Sequence, residues 1–399
     1  MHWLHHPLLR RGQRAPFLLL AMVTASGTLG MHMIIPALPA AATGLHVSAG
    51  TIQLTITLYL IGLAIGQLLY GPMSDRFGRR PVLLGGLALF TLAGVATAVA
   101  PNAGVLIMAR VLQSVGGCGG LVLGRAIVRD QATADGAAAQ LALLTLVMSM
   151  APAIAPVIGG YATAYLGWRA AFALLAVLGA LAFAMVLLRL PETLDQRGES
   201  RGFYTMLHGS VRLLRSRAFL GYAIGGSCTT TSFYAFMSAS PFIFANLLHR
   251  PTQEIGLYYL LLMGGVALGG FSANRMAGRV RPRTALRIAN GLAIAAAAAF
   301  MLADLLGWLS VATVIAPVAL FMVGAGMASP FAIAGAVSVN PLAIGAASGM
   351  YGFMQMGYGV LCTVVVETWR PGTVLPVATV LLGSALLGQV ALAMAVRRA

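Results

Sequence analysis

Stretches of about 20 mostly apolar residues recur along this sequence from end to end, each long enough to cross a hydrocarbon layer about 30 Å thick as a helix. That repetition leaves few choices. In lipid every backbone polar group must be bonded within its own segment or to a neighbouring strand of a closed barrel, and runs of this length are helices. Of 399 residues, 59% are hydrophobic and 9% charged, against roughly a quarter charged in an ordinary soluble domain. Such a chain cannot dress a water-soluble surface, and no separate soluble domain fits between the runs.

The runs predict spans at 16–41, 51–71, 81–100, 104–125, 138–164, 168–189, 219–246, 254–274, 284–305, 308–330, 343–366 and 373–395. The longest polar interruption, 191–217, contains Glu192, Asp195, Glu199 and several arginines, and it divides the spans six and six. The expected organisation is therefore an N-terminal six-helix bundle over 1–190, a cytoplasmic linker over 191–217 and a C-terminal six-helix bundle over 218–399. The apolar run beginning near Phe17 is longer than the core of a signal peptide and meets Pro36 and Pro39, so it reads as a retained first helix.

A net charge of +16 raises the question of nucleic acid, but all 25 basic residues are arginines scattered through short hydrophilic breaks. With the spans placed as above, Arg169, Arg250 and Arg370 fall on one side, Arg110 lies inside a span, and the other 21 fall on the opposite side. This is the bias that keeps positive loops in the cytoplasm, and it predicts both termini there and no nucleic-acid partner. Enzyme chemistry is not expected: there is no metal-ligand cluster or nucleophile constellation, and a phosphate loop ending in Gly-Lys is impossible without lysine. No cofactor is implied. Cys118, Cys228 and Cys362 all fall in apolar spans, where a buried thiol is expected rather than a bridge.

The halves repeat weakly. Gly71, Asp75, Arg76, Gly78 and Arg79 after the second span are echoed by Gly270, Asn274, Arg275, Gly278 and Arg279 after the eighth. Duplication of this kind favours a transporter with its site between the halves, which rock against each other.

Three motifs carry more. Gly71-Pro72-Met73-Ser74-Asp75-Arg76-Phe77-Gly78-Arg79-Arg80 concentrates an acid and three bases in a tight loop between the second and third spans. Arg110 lies within the fourth span, in Arg110-Val111-Leu112-Gln113, where a charge costs a few kcal/mol and is ordinarily paired or turned to a watery cavity. In the fifth span, Pro152 and Pro156 remove backbone donors and bend the helix, while Gly159 and Gly160 allow close approach. These segments resemble the major facilitator superfamily, which implies an all-α membrane protein of the major facilitator fold, twelve transmembrane helices in two halves. The first matches the family loop G-x-x-x-D-R-x-G-R-R/K, a gating latch that here comprises Gly71, Asp75, Arg76, Gly78, Arg79 and Arg80. The second matches R-x-x-Q-x-x-G, whose arginine is tied to proton coupling. The third is similar to the antiporter pattern G-x-x-x-G-P-x-x-G-G, with Ala151 and Ala155 in place of glycines.

Together with Pro36-Ala37-Leu38-Pro39, Arg125-Ala126-Ile127-Val128-Arg129-Asp130 and Gly167-Trp168-Arg169, they look like the Bcr/CflA branch of drug:proton antiporters. One departure stands out. That branch carries an acid in the first helix, in the context D-M-Y-L-P, whereas this chain has His32-Met33-Ile34-Ile35-Pro36. The resemblance puts His32 in the proton carrier's position, and imidazole titrates near physiological pH. The other acids, Glu254, Asp304, Glu367 and Asp130, are expected near span ends, leaving the central cavity without a carboxylate. A cavity of that kind favours small neutral or anionic amphipathic substrates over cations. Its expected lining is Met31, Gln113, Met148, Phe233, Tyr234, Met237, Tyr351, Met354, Gln355 and Tyr358, soft side chains that adapt to many ligands. The expected protein is a monomeric proton-coupled multidrug efflux transporter. A metabolite exporter for a sugar, amino acid or purine, or a non-transporting membrane sensor, are the alternatives.

Overall fold

The computed structural model describes residues 16–131, 134–194, 213–339, 344–369 and 373–396. Helices Ala49–Phe77, Arg79–Ala98, Ala103–Gln131, Ala134–Leu166 and Trp168–Arg189 form the second to sixth spans. Helices Thr252–Met276, Pro282–Leu305, Val311–Ser338, Ile344–Trp369 and Val374–Val396 form the eighth to twelfth. With Phe17–Gly44 as the first, eleven spans among the described residues are long and apolar enough to cross a membrane. Leucines such as Leu92, Leu268 and Leu361 remain more than 60% exposed on the outer faces, the surface a bilayer would cover.

The seventh span is not the continuous helix expected over 219–246. It breaks into Arg217–Thr230 and Phe233–Phe242, followed by a π-turn at Ile243–Leu247. The cause is local. Thr229, Thr230 and Thr231 each turn a hydroxyl back onto the carbonyl four residues earlier, at 3.1, 2.7 and 2.7 Å, and such back-bonding bends helices. The first span breaks as well: its α-helix ends at His32 and passes through a 3-10 turn at Ile35–Ala37, with Pro36 unable to donate, into Leu38–Gly44.

The expected loop at 71–80 is another correction. The second helix runs through Pro72 to Phe77 and the third begins at Arg79, so a single residue, Gly78, makes the turn at φ 100°. Only glycine takes that backbone conformation without strain.

The halves meet where the second span packs on the eleventh, the fifth on the eighth, and the region after the first span's break on the seventh. At the face away from the Asp75 loop, Gln53 donates to the Ser238 carbonyl at 2.9 Å and Thr57 to Thr363 Oγ1 at 2.8 Å. Gly256 of the eighth span lies so close to Pro156 that a β-carbon there would sit 2.5 Å from the Pro156 carbonyl oxygen.

Candidate functional site

Arg110 is fully buried inside the N-terminal half. One guanidinium nitrogen, Nη1, donates to the Gly30 carbonyl of the first span at 2.9 Å and to Gln113 Oε1, one helical turn along its own span, at 2.7 Å. The guanidinium carbon lies 4.0 Å from the centre of the Tyr59 ring on the second span. A desolvated cation over an aromatic face gains about 2 kcal/mol, which offsets only part of the cost of burying the charge. Tyr59 is itself fixed, donating to the Gly27 carbonyl at 2.9 Å. Nε and Nη2 have no partner among the described residues, and no acid there pairs with Arg110. One charge thus ties three spans together through dipoles and a ring.

His32 lies two residues beyond Gly30, at the end of the first span's α-helix, and is 6% exposed. Its Nδ1 is 2.9 Å from the Thr28 carbonyl. A carbonyl only accepts, so Nδ1 carries the hydrogen and Nε2 keeps the lone pair that can take a proton. The fifth span presses on the same break: a β-carbon on Gly159 would overlap the Met33 carbonyl oxygen. Its neighbour Gly160 faces the other half, where a β-carbon would come 3.0 Å from the Thr252 carbonyl. The segment containing Pro152, Pro156, Gly159 and Gly160 is thereby held between the break after His32 and the start of the eighth span. Removing either glycine's freedom of approach would separate the packed helices.

At the arginine-rich face, Arg79 pairs with Asp75 and, through Nε at 2.9 Å, with Asp130 at the end of the fourth span. Its Nη1 also donates to Ser74 Oγ. Glu192, absent from the expected latch, accepts the Arg79 amide at 2.9 Å and the Arg80 amide at 3.3 Å. It fills the positive N-terminus of the third span, where unpaired amides favour an anion. Arg80 Nη2 donates to the Leu187 carbonyl at 2.9 Å. Arg76 instead lies over the neighbouring Phe77 ring at 5.2 Å. Gly71 has open space around its α-carbon. Apart from Glu192, which belongs to the linker, these partners fall within the N-terminal half. Glu192 is named in the sequence only as a linker acid, because 113 residues separate it from Arg79 and no local pattern joins them.

The expected cavity residues divide. Met31, Gln113, Phe233, Met237 and Tyr351 are at most 4% exposed and packed into the interior, so in this conformation they do not line open space. Met148, Tyr234, Met354, Gln355 and Tyr358 are half-buried. Met148 is close to Arg125, whose exposed guanidinium reaches its sulfur at 3.5 Å. Gln355 donates to Thr230 at 2.9 Å and Tyr358 to Ser384 at 2.8 Å. The three thiols are free and buried.

A family model described as the Major Facilitator Superfamily matches residues 20–363. The chain belongs to that superfamily. It is a multi-pass membrane transporter and not an enzyme. The transporter is 30% identical over 391 residues to "Uncharacterized MFS-type transporter YdgK" of Bacillus subtilis, covering 97% of this chain and 96% of the relative. It is 35% identical to a "Chloramphenicol resistance protein" of Pseudomonas aeruginosa, over 80% of this chain and 75% of the relative. It is 30% identical to "Multidrug resistance protein D" of Escherichia coli, over 87% of each. Among solved structures, a D-xylose-proton symporter superposes with a TM-score of 0.73 at 16% identity, over 96% of this chain and 97% of that one, which establishes the major facilitator fold.

Proposed function

We propose that this transporter is a proton-driven exporter of small, neutral amphipathic compounds, working by alternating access in a bacterial inner membrane with its arginine-rich face toward the cytoplasm. Residues 1–190 and 218–399 are the two rocking bundles and 191–217 joins them; 195–212 of that linker lie outside the described residues. The observation that carries the reading is the buried Arg110, bonded to the first span beside His32 and to no acid among the described residues. A proton arriving on His32 Nε2 adds a positive charge to the same span whose Gly30 carbonyl, two residues earlier, holds Arg110, in a setting where charges are poorly screened. The resulting repulsion strains the Gly30–Arg110 attachment and favours a different seating of the first span. Because Gly159 rests on that same segment and Gly160 on the eighth span, the movement has a route to the interface between the halves.

The relatives named for resistance to chloramphenicol and to multiple drugs support export of drug-like molecules. A buried cation, Arg110, with no acid paired to it among the described residues disfavours cationic substrates, which supports uncharged ones. The test is uptake of chloramphenicol, which is uncharged, into inside-out vesicles energised by a proton gradient. Accumulation that collapses with a protonophore supports the reading. Accumulation indifferent to the protonophore would remove proton coupling, and none with any neutral compound would favour a metabolite exporter.

A further inference from the structure

Glu367 stands two residues from the end of the eleventh-span helix, at the face opposite the arginine-rich loops, and is 8% exposed. It faces the other half. The Thr57 hydroxyl of the second span is within hydrogen-bond distance of Glu367 Oε1 and lies 2.8 Å from Thr363 Oγ1. Thr363 in turn reaches the Val360 carbonyl at 2.9 Å. This is a chain of three oxygen–oxygen contacts ending on a carbonyl, which can only accept. Two hydroxyls supply two hydrogens. The third has one place to sit, on the Glu367 carboxyl, so the chain is complete only when that acid is neutral. The other carboxyl oxygen, Oε2, is buried with no partner among the described residues. A neutral acid tolerates that position, whereas a carboxylate with a bare buried oxygen does not.

The surroundings offer little compensation for a negative charge. Of the helices that touch the eleventh, the second contributes Asp75 and Arg76 and the seventh contributes Arg217 as described charged residues. Asp75 and Arg76 lie at the far end of the second span, about 27 Å along the helix from Thr57 at 1.5 Å per residue, and Arg217 opens the seventh at that same face. The tenth and twelfth spans bring no charged side chain among the described residues. Tyr59 is committed to Gly27 and Arg110, and Tyr358 to Ser384. Arg370, three residues further on, lies outside the described residues.

We propose that Glu367 is a proton-binding site that holds this face of the transporter shut. With the acid neutral, the Glu367–Thr57–Thr363–Val360 chain closes across the halves. Once it loses its proton, the chain lacks a hydrogen and the carboxylate gains by opening to water. The latch is therefore present at low pH and weakens as pH rises. This site is distinct from His32 and Arg110, and it rests on the alternating-access reading only for the statement that the halves separate here.

The test measures the gap directly and needs no substrate, so a failure of drug export leaves it intact. Spin labels at Thr43→Cys and Thr368→Cys, both exposed and in different halves, report the separation in full-length protein in nanodiscs, with the three native cysteines replaced by alanine. The open population is expected to grow at least about fivefold between about pH 5 and about pH 9. In Glu367→Gln, whose amide supplies the missing hydrogen without titrating, it is expected to change by less than about 1.5-fold over that range, with His32→Ala present in both proteins so that the imidazole adds no pH response of its own. A pH response retained in Glu367→Gln, or absent from the parent, would overturn the proposal. Should the glutamine variant fold poorly, Thr57→Val serves. It should raise the open population already at low pH and flatten the response, and an unaltered response would be equally fatal.

Discussion

The loops of the two halves echo each other in sequence, yet the halves differ in their chemistry. In the N-terminal half, buried and partly buried charges are bound into networks: Arg110 with Gly30, Gln113 and Tyr59, and Arg79 with Asp75 and Asp130, beside the Glu192 carboxylate on the third span's amides. In the C-terminal half the corresponding loop has Asn274 where the first has Asp75, and Arg275 lies over Phe271 at 4.7 Å. Most polar contacts inside that half are uncharged, among them Thr229 with Asn290, Ser240 with Tyr259, Gln355 with Thr230 and Tyr358 with Ser384, and an acid enters where Tyr258 donates to Glu254 at the start of the eighth span. Fixed charge responds to a proton over several ångströms, while neutral hydroxyls and amides respond only to contact. The difference fits the proposed function, in which energy coupling falls to the first half and the second holds uncharged substrates.

That division can be broken most forcefully at Arg110. Arg110→Ala removes the charge and strands Gln113 Oε1 and the Gly30 carbonyl; proton-driven export is expected to fall about 100-fold or more, equivalent to about 3 kcal/mol. Arg110→Lys restores a charge but not a planar cation with two bonding edges, and should recover less than about a tenth of the parent rate. Vesicle uptake of chloramphenicol reads both. Comparable losses from Thr229→Val, whose partner is neutral, would dissolve the distinction between halves.

The two loop glycines sharpen it. Gly78 and Gly278 both have positive φ, 100° and 74°, so alanine strains either by about 1 kcal/mol. A β-carbon at Gly78 would also come 2.5 Å from Glu192 Oε2, while Gly278 has open space. Thermal unfolding should therefore show Gly78→Ala costing about 2 kcal/mol more than Gly278→Ala. Equal costs would mean that Glu192 yields freely.

A smaller effect is expected from the acids around Arg79. Asp130 is less exposed than Asp75, with side-chain exposures of 23% and 53%. Exposed pairs contribute about 1 kcal/mol or less, so Asp130→Asn should slow export severalfold and Asp75→Asn less, with unfolding little changed in both. Substituting Arg279, in the loop that lacks the acid, should alter neither.

Much of this was legible in the sequence because it depends on local pattern. The apolar periodicity marked the spans, the isolated Arg110 marked a charged centre, and the Gly71–Arg80 motif marked the Arg79 cluster. What stayed hidden depends on partners far apart along the chain. Glu192 reads as an ordinary linker acid until the third span's amides are seen beside it, and Glu367 reads as a helix-end residue until Thr57 faces it from 310 residues away. The break in the seventh span was missed for a different reason: average hydropathy is blind to three consecutive threonines turning back on their own backbone. Met and aromatic residues serve packing and binding equally well, and five of the ten named for the cavity are packed interior in this conformation.

On the proposed function, a proton on His32 is exchanged for substrate. The direct measurement is proton release from purified transporter in weakly buffered detergent on adding chloramphenicol, in the parent and in His32→Ala, with binding measured in parallel. The account predicts release from the parent and its disappearance in the variant while chloramphenicol still binds. Undiminished release from His32→Ala would contradict it and move the exchanging proton to another group.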